Sequence, residues 1–386
     1  MSEPLTLWGR EFEGFQRAVA AHAAAWPGGD VAARWLGLPA LQAAVLDADP
    51  DADLLLVPAD WLPALAAAGT VRPLTSYLAD DAPQGWPGAW SPSFHAGLTW
   101  GSDIYGLPFH DGPQLLFTRP SLLAGHDLRP PTTWSELLDV AAALHGPDGR
   151  AGTVLAGAPD GHNNVYDLVL HLWRLGGDLL DAQGRVLLDT APMRAALGFL
   201  RGLATTLVPA DAHDLDSNGS GAAFADGRVG VALNWAGYAA LAAAGAVAGD
   251  VECRVAPTHD DGSPTTTVNA FWVVCVTRAC ADPARAWDYL RHAASAAMDL
   301  ETTRAGACGA RRTTWADADV LAAQPEHALF DLAHAHSRPL PRIPQLPALV
   351  GVLSELVDAV VWRQEPVDPA LAAADRAATA LLAVRS

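Results

Sequence analysis

The residues of this 386-residue chain with the most chemistry to offer are its tryptophans and carboxylates. There are 14 Trp against 5 Tyr and 9 Phe. Each indole offers a flat, electron-rich apolar face and one N–H donor. Catalytic constellations are weak. There is no HExxH and no GxSxG elbow, and Gly219-Ser220-Gly221 has the wrong spacing for one. His327, Asp331 and His334 recur at i, i+4 and i+7, a spacing that would suit a transition metal. With no further ligand in view they read as a polar helix face, and no metal or other cofactor is expected. Asp80-Asp81 and Asp260-Asp261 are neighbours in loops and do not make a facing acid/base pair. Asp60 and Asp111 would suit a two-carboxylate hydrolase, but nothing in the pattern selects that role. No catalytic residue is assigned.

Composition removes several classes. The chain has no lysine; all 24 basic residues are arginine. A phosphate loop and a Schiff-base amine are therefore both absent. The net charge of −19 argues against nucleic acid and anionic membranes as partners, and favours a neutral or cationic small ligand. Apolar residues make up 51% and charged residues 17%, which suits a folded chain long enough for two domains. Cys253, Cys275, Cys280 and Cys308 show no zinc spacing and no assignable pairing.

The elements that must position these residues alternate between strands and helices. Leu5–Trp8, Val31–Leu36, Asp53–Pro58, Ile104–Phe109, Leu115–Thr118, Val229–Leu233 and Val268–Val276 read as strands. The apolar run within Asp53–Pro58 is typical of a strand covered on both faces. Thr133 with Glu136 forms a capping box, Thr190 caps the helix from Pro192, and Asp282 with Pro283 opens another. Asp80–Pro92, rich in Pro, Gly and Trp, reads as a surface loop. No apolar run reaches the length of a membrane span.

The colinear motifs resemble the family 1 extracellular solute-binding proteins, the maltose-binding-protein-like, sugar-binding components of ABC importers. They are Tyr105-Gly106-Leu107-Pro108, then Leu115–Thr118, then Pro130-Pro131-Thr132-Thr133-Trp134-Ser135-Glu136. Asp60-Trp61, Phe224-Ala225-Asp226-Gly227-Arg228, Ala284–Leu290, Gly309–Arg312 and Arg342-Ile343-Pro344-Gln345 keep the same order. The resemblance implies an α/β, two-lobed periplasmic-binding-protein-like fold (type II) with a hinge and several chain crossings. One lobe would hold residues 1–108 and 266–305, the other residues 109–265 and 306–386.

The same resemblance implies a function. A mono- or oligosaccharide would bind in the inter-lobe cleft and reach the membrane subunits of an importer by hinge closure. Ligands in open α/β sheets sit at the C-terminal ends of strands, so residues there are the candidates. They are Trp8, Arg10, Glu11, Asp60, Trp61, His110, Asp111, Asn163, Tyr166, Trp235, Asn269 and Arg311. The Trp faces would stack on sugar rings and the polar groups would take hydroxyls, although each residue also has an ordinary packing or capping role. After Ile343-Pro344-Gln345 some maltose-type members carry an aromatic where this chain has Pro347, Ala348 and Leu349, which argues against a long maltodextrin. Met1-Ser2-Glu3-Pro4 shows no secretory signal pattern. Two readings stay open: a mature extracytoplasmic protein of the cell envelope, or a cytoplasmic sugar sensor or enzyme on the same fold.

Overall fold

The run Leu54–Pro58 is buried at all five positions, as is Trp272–Val276. Strands with no polar face need cover on both sides, and these two lie side by side inside the largest sheet. The computed structural model describes residues 3–47, 49–146 and 149–383. Contacts divide the chain into two units. The first comprises Met1–Pro113, Asn269–Ala335 and Arg342–Pro344; the second comprises Gln114–Val268, His336–Pro341 and Gln345–Ser386.

The sheet of the first unit has the order Val31–Leu36, Leu5–Arg10, Leu54–Pro58, Trp272–Val276, Leu107–His110. The first three strands are parallel, and Trp272–Val276 is antiparallel to both of its neighbours. Trp272 pairs with Pro58 on one side and His110 on the other. This register brings the residues just before Trp272, just after Pro58 and just after His110 to one edge of the sheet.

In the second unit, Gln114–Thr118 lies between Ala232–Trp235 and Glu252–Val255, antiparallel to each. Its core gathers Leu116, Leu123, Trp134, Leu137, Val140, Ala141, Leu144, Leu170 and Val231. The helix Trp134–Leu144 starts at the expected capping box, with the Thr133 hydroxyl accepting from the Glu136 N–H. Trp134 packs in this core and its indole N–H donates to Thr265 Oγ1 at 2.8 Å. Among the described residues no helix is long and apolar enough to cross a membrane.

Three expectations are corrected. The run Val268–Val276 is not one strand. Thr267–Val268 pairs with Ser337–Arg338 in the second unit, and Trp272–Val276 begins again in the first, because the chain changes unit after Val268. Likewise Ile104–Phe109 is broken: Asp103–Ile104 pairs with Thr99–Trp100, and only Leu107–His110 joins the large sheet. The strand drawn at Val229–Leu233 lies at Ala232–Trp235.

Residues 306–335, expected in the second lobe, pack in the first unit. The buried Asp299 carboxylate holds them there, accepting from the N–H groups of Ala310 and Arg311 at 2.7 and 3.1 Å and from the Thr314 hydroxyl at 2.5 Å. Gly309 sits so close that a Cβ would lie 2.5 Å from the Asp299 carbonyl oxygen. Trp90, in the segment read as a surface loop, is 3% exposed and lies under the Arg311 guanidinium. No disulfide joins any of the four cysteines.

Candidate functional site

In the first unit, the strand Leu5–Arg10 ends in two side chains with different surroundings. Trp8 is half-buried, with the Arg34 guanidinium 4.7 Å above its ring centroid. Arg10 is buried and Glu11 is exposed, its N–H bonded to Leu36 O at 2.8 Å. One strand over, Pro58 leads into the turn Ala59–Trp61. Asp60 there is half-buried, while Trp61 is 4% exposed and packs inward. Arg342 lies near Asp60. Burial pulls the Arg342 guanidinium below its ordinary value, and the Asp60 carboxylate partly offsets this.

His110 and Asp111 follow at the same edge. His110 packs against Phe12 and Phe15, and its Nδ1 accepts the Cys308 N–H at 2.9 Å. Burial lowers its pKa to about 4, so the ring is neutral near pH 7. Asp111 is 1% exposed, and its Oδ2 lies 2.8 Å from His334 Nε2. His334 Nδ1 lies 3.0 Å from Ser93 Oγ, and the ring stacks on Trp315. Asn269 donates from Nδ2 to Ser93 O at 3.1 Å, while its buried Oδ1 has no partner.

Arg311 has a different surrounding from the strand-end residues. Its guanidinium donates to Ala294 O and Gln84 O at 2.7 and 2.6 Å and stacks on Trp90. These contacts make it a clamp on the loop that it belongs to.

In the second unit the candidates form one cluster. Trp235 is the last residue of its strand and is half-buried. Its indole N–H donates to Asn163 Oδ1 at 2.7 Å, and its ring meets Tyr166 edge-on at 5.6 Å. Tyr166 is 1% exposed and packs against His162. Asn163 is buried and its Nδ2 has no partner. Asn234 supports the strand end, accepting the Trp235 N–H at 2.8 Å and donating to Ser220 Oγ at 3.1 Å.

The two asparagine amides are oriented by their partners. An indole N–H can only donate, so it meets the amide oxygen of Asn163 and leaves an N–H end over. A carbonyl can only accept, so it meets the amide nitrogen of Asn269 and leaves an oxygen over. One amide therefore presents a donor and the other an acceptor, both buried and both unsatisfied, a costly state without a ligand or water.

The helix face read from His327, Asp331 and His334 is divided among separate partners. Asp331 takes Arg312 at 3.0 Å, His327 Nδ1 lies 3.2 Å from Gln324 O, and His334 faces Asp111. Sequence reasoning did not connect His334, Ser93, Asn234, Ser220 or Arg342 to the site. The only available signals were His334 in the helical triplet and Arg342 in the Arg-Ile-Pro-Gln segment, and neither pattern names a partner.

The fold is that of the two-lobed, MalE-like α/β periplasmic binding proteins. The chain superposes on a ribitol-complexed ABC transporter solute-binding protein from Agrobacterium radiobacter K84 with a TM-score of 0.89 at 23% identity, covering 98% of this chain and 100% of that one. Maltose-bound MalE3 of T. maritima gives a TM-score of 0.87 at 21% identity, with 99% and 100% covered. Residues 12–299 match the family described as bacterial extracellular solute-binding protein, and the chain belongs to that family. A probable ABC transporter-binding protein of Deinococcus radiodurans is 24% identical over 259 residues, 64% of this chain and 61% of that protein. The chain thus spans about three fifths of the length of this curated relative.

Proposed function

We propose that this chain binds a neutral mono- or oligosaccharide or a related polyol, and that it hands the ligand to the membrane subunits of an ABC importer by hinge closure. The observation that carries the reading is an oriented, unsatisfied amide end in each unit taken by itself, Asn269 Oδ1 in the first and Asn163 Nδ2 in the second. A hydroxyl is both donor and acceptor, so hydroxyl groups suit either end. The half-buried Trp8 and Trp235 add apolar faces of the kind that C–H surfaces of sugars pack on. Asp60, Asp111, Arg10 and Glu11 supply further polar groups at the strand ends. Ribitol and maltose in the solved relatives support this ligand class. The extracellular description of the family supports a place outside the cytoplasm.

Thermal-shift screening against sugars, polyols, amino acids, peptides and nucleotides tests the reading. Ligand at about a hundredfold over its Kd adds roughly 2.7 kcal/mol of stability. Hits confined to amino acids, peptides or nucleotides would overturn it.

A further inference from the structure

Asp111 poses an electrostatic problem. It is 1% exposed in a chain of net charge −19. A lone carboxylate in such a field attracts cations and is costly to keep ionised when buried. His334 Nε2, at 2.8 Å, answers it from 223 residues away. The imidazole is 6% exposed and held on every side. Trp315 lies parallel to it at 5.4 Å and 11°, Phe94 meets it edge-on at 5.0 Å and 87°, and Ser93 Oγ bonds its far nitrogen at 3.0 Å. Ser91 Oγ continues the chain, 2.9 Å from Ser93 Oγ. Hydroxyls can turn, so this chain can satisfy the far ring nitrogen whether or not it carries a proton.

Several other charged groups in the first unit have partners of their own. Asp331, on the same helix as His334, pairs with Arg312 at 3.0 Å. Arg311 is bound to two carbonyls and Trp90. His110 accepts from Cys308, and His327 faces Gln324 O and Glu326. His334 is the side chain that meets the Asp111 carboxylate directly. A carboxylate offers roughly four acceptor sites, and His334 takes one of them.

We propose that His334 is a positioning residue: it balances and orients Asp111, so that this edge of the first unit selects uncharged polyhydroxy ligands over cationic ones. The proposal rests on the carbohydrate reading above and adds to it the source of the charge selectivity.

The test is calorimetric titration of the parent, His334→Gln and His334→Phe, with ribitol and maltose as neutral probes and protonated glucosamine as the cationic probe. Gln retains an N–H donor for Asp111, whereas Phe retains only the ring. His334→Phe should bind the neutral probe about tenfold more weakly, with its preference moved toward glucosamine by a similar factor, and His334→Gln, which restores the hydrogen bond but carries no charge, should recover most of the neutral-probe affinity and not the preference. A neutral-to-cationic ratio that is the same in all three proteins overturns the proposal and leaves the carbohydrate reading standing. A parent that binds no sugar or polyol removes both. Should His334→Phe not fold, proton NMR of the ligand-free parent decides. A slowly exchanging ring N–H that is lost in His334→Gln and Asp111→Ala supports the pair, and the absence of any such signal overturns it.

Discussion

The Trp235 indole N–H and Asn163 Oδ1 are joined at 2.7 Å, so the end of a strand and the start of a helix present one composite surface in the second unit. The pair shows an aromatic face and an amide N–H together. Trp235→Ala should weaken binding of ribitol or maltose by about 1–3 kcal/mol, and the half-buried ring should leave the unfolding midpoint of the free protein little changed. Trp235→Phe keeps a face but frees the amide oxygen, and should lose an intermediate amount. Calorimetry on the two variants, with ligand-free denaturation as control, checks both statements.

Trp61 should behave in the opposite way. At 4% exposure it fills space beneath the turn that carries Asp60. Trp61→Ala should cost about 3–5 kcal/mol of folding stability through lost transfer energy and a cavity. Urea unfolding measures this directly. A variant as stable as the parent but unable to bind would return Trp61 to the ligand surface.

Arg311→Ala should also act on stability. It strips the donors from two carbonyls and removes the cation nearest the buried Asp299. Breaking such an arrangement from one side costs on the order of 3–5 kcal/mol. Ligand affinity measured well below the unfolding midpoint should stay within about threefold of the parent, well under 1.4 kcal/mol.

The pH dependence of stability has a definite shape. Burial lowers His22 and His110 to about 4 from 6.5, so the native state holds fewer protons than the unfolded state between those values. Their contribution is complete above pH 6.5 and is lost as the pH falls through 4. Asp167 runs the other way. Burial raises it to about 7 from 3.8, so its contribution is complete below 3.8 and is lost as the pH rises through 7. Between about 4 and 6.5 the two histidines outweigh Asp167, so these three groups together make stability rise over that range and level off near pH 7. Scanning calorimetry across pH 4 to 8 should trace this, about 4 to 8 spanning the three titrations. Asp167→Asn should steepen the rise in stability between about pH 4 and 7, because the opposing titration is gone.

Much of the architecture was legible from local signals. Thr133 with Glu136, Thr190 before Pro192, and Asp282 before Pro283 cap helices as read, because capping is settled within four residues. The buried runs at Leu54–Pro58 and Trp272–Val276 announced central strands, since an all-apolar strand has no face for water. The positions of Arg10, Asp60 and Asp111 at the ends of elements followed from the same reading, whereas Asn269 stood inside a run that the structure divides.

Which side chains meet was decided by the tertiary structure alone. The sheet order sets Trp272–Val276 between Leu54–Pro58 and Leu107–His110, and no local pattern encodes that non-consecutive pairing. The Val268–Val276 run looked continuous because hydrophobicity does not register a change of unit in the middle. Residues 306–335 joined the first unit because Asp299, Arg311 and Trp90 bind them there, through contacts spanning up to 227 residues. The sequence thus placed polar and aromatic residues at the strand ends by short-range periodicity. Only the packed structure turned Asp111 toward His334 and Asn163 toward Trp235, because those bonds depend on elements brought together from distant parts of the chain.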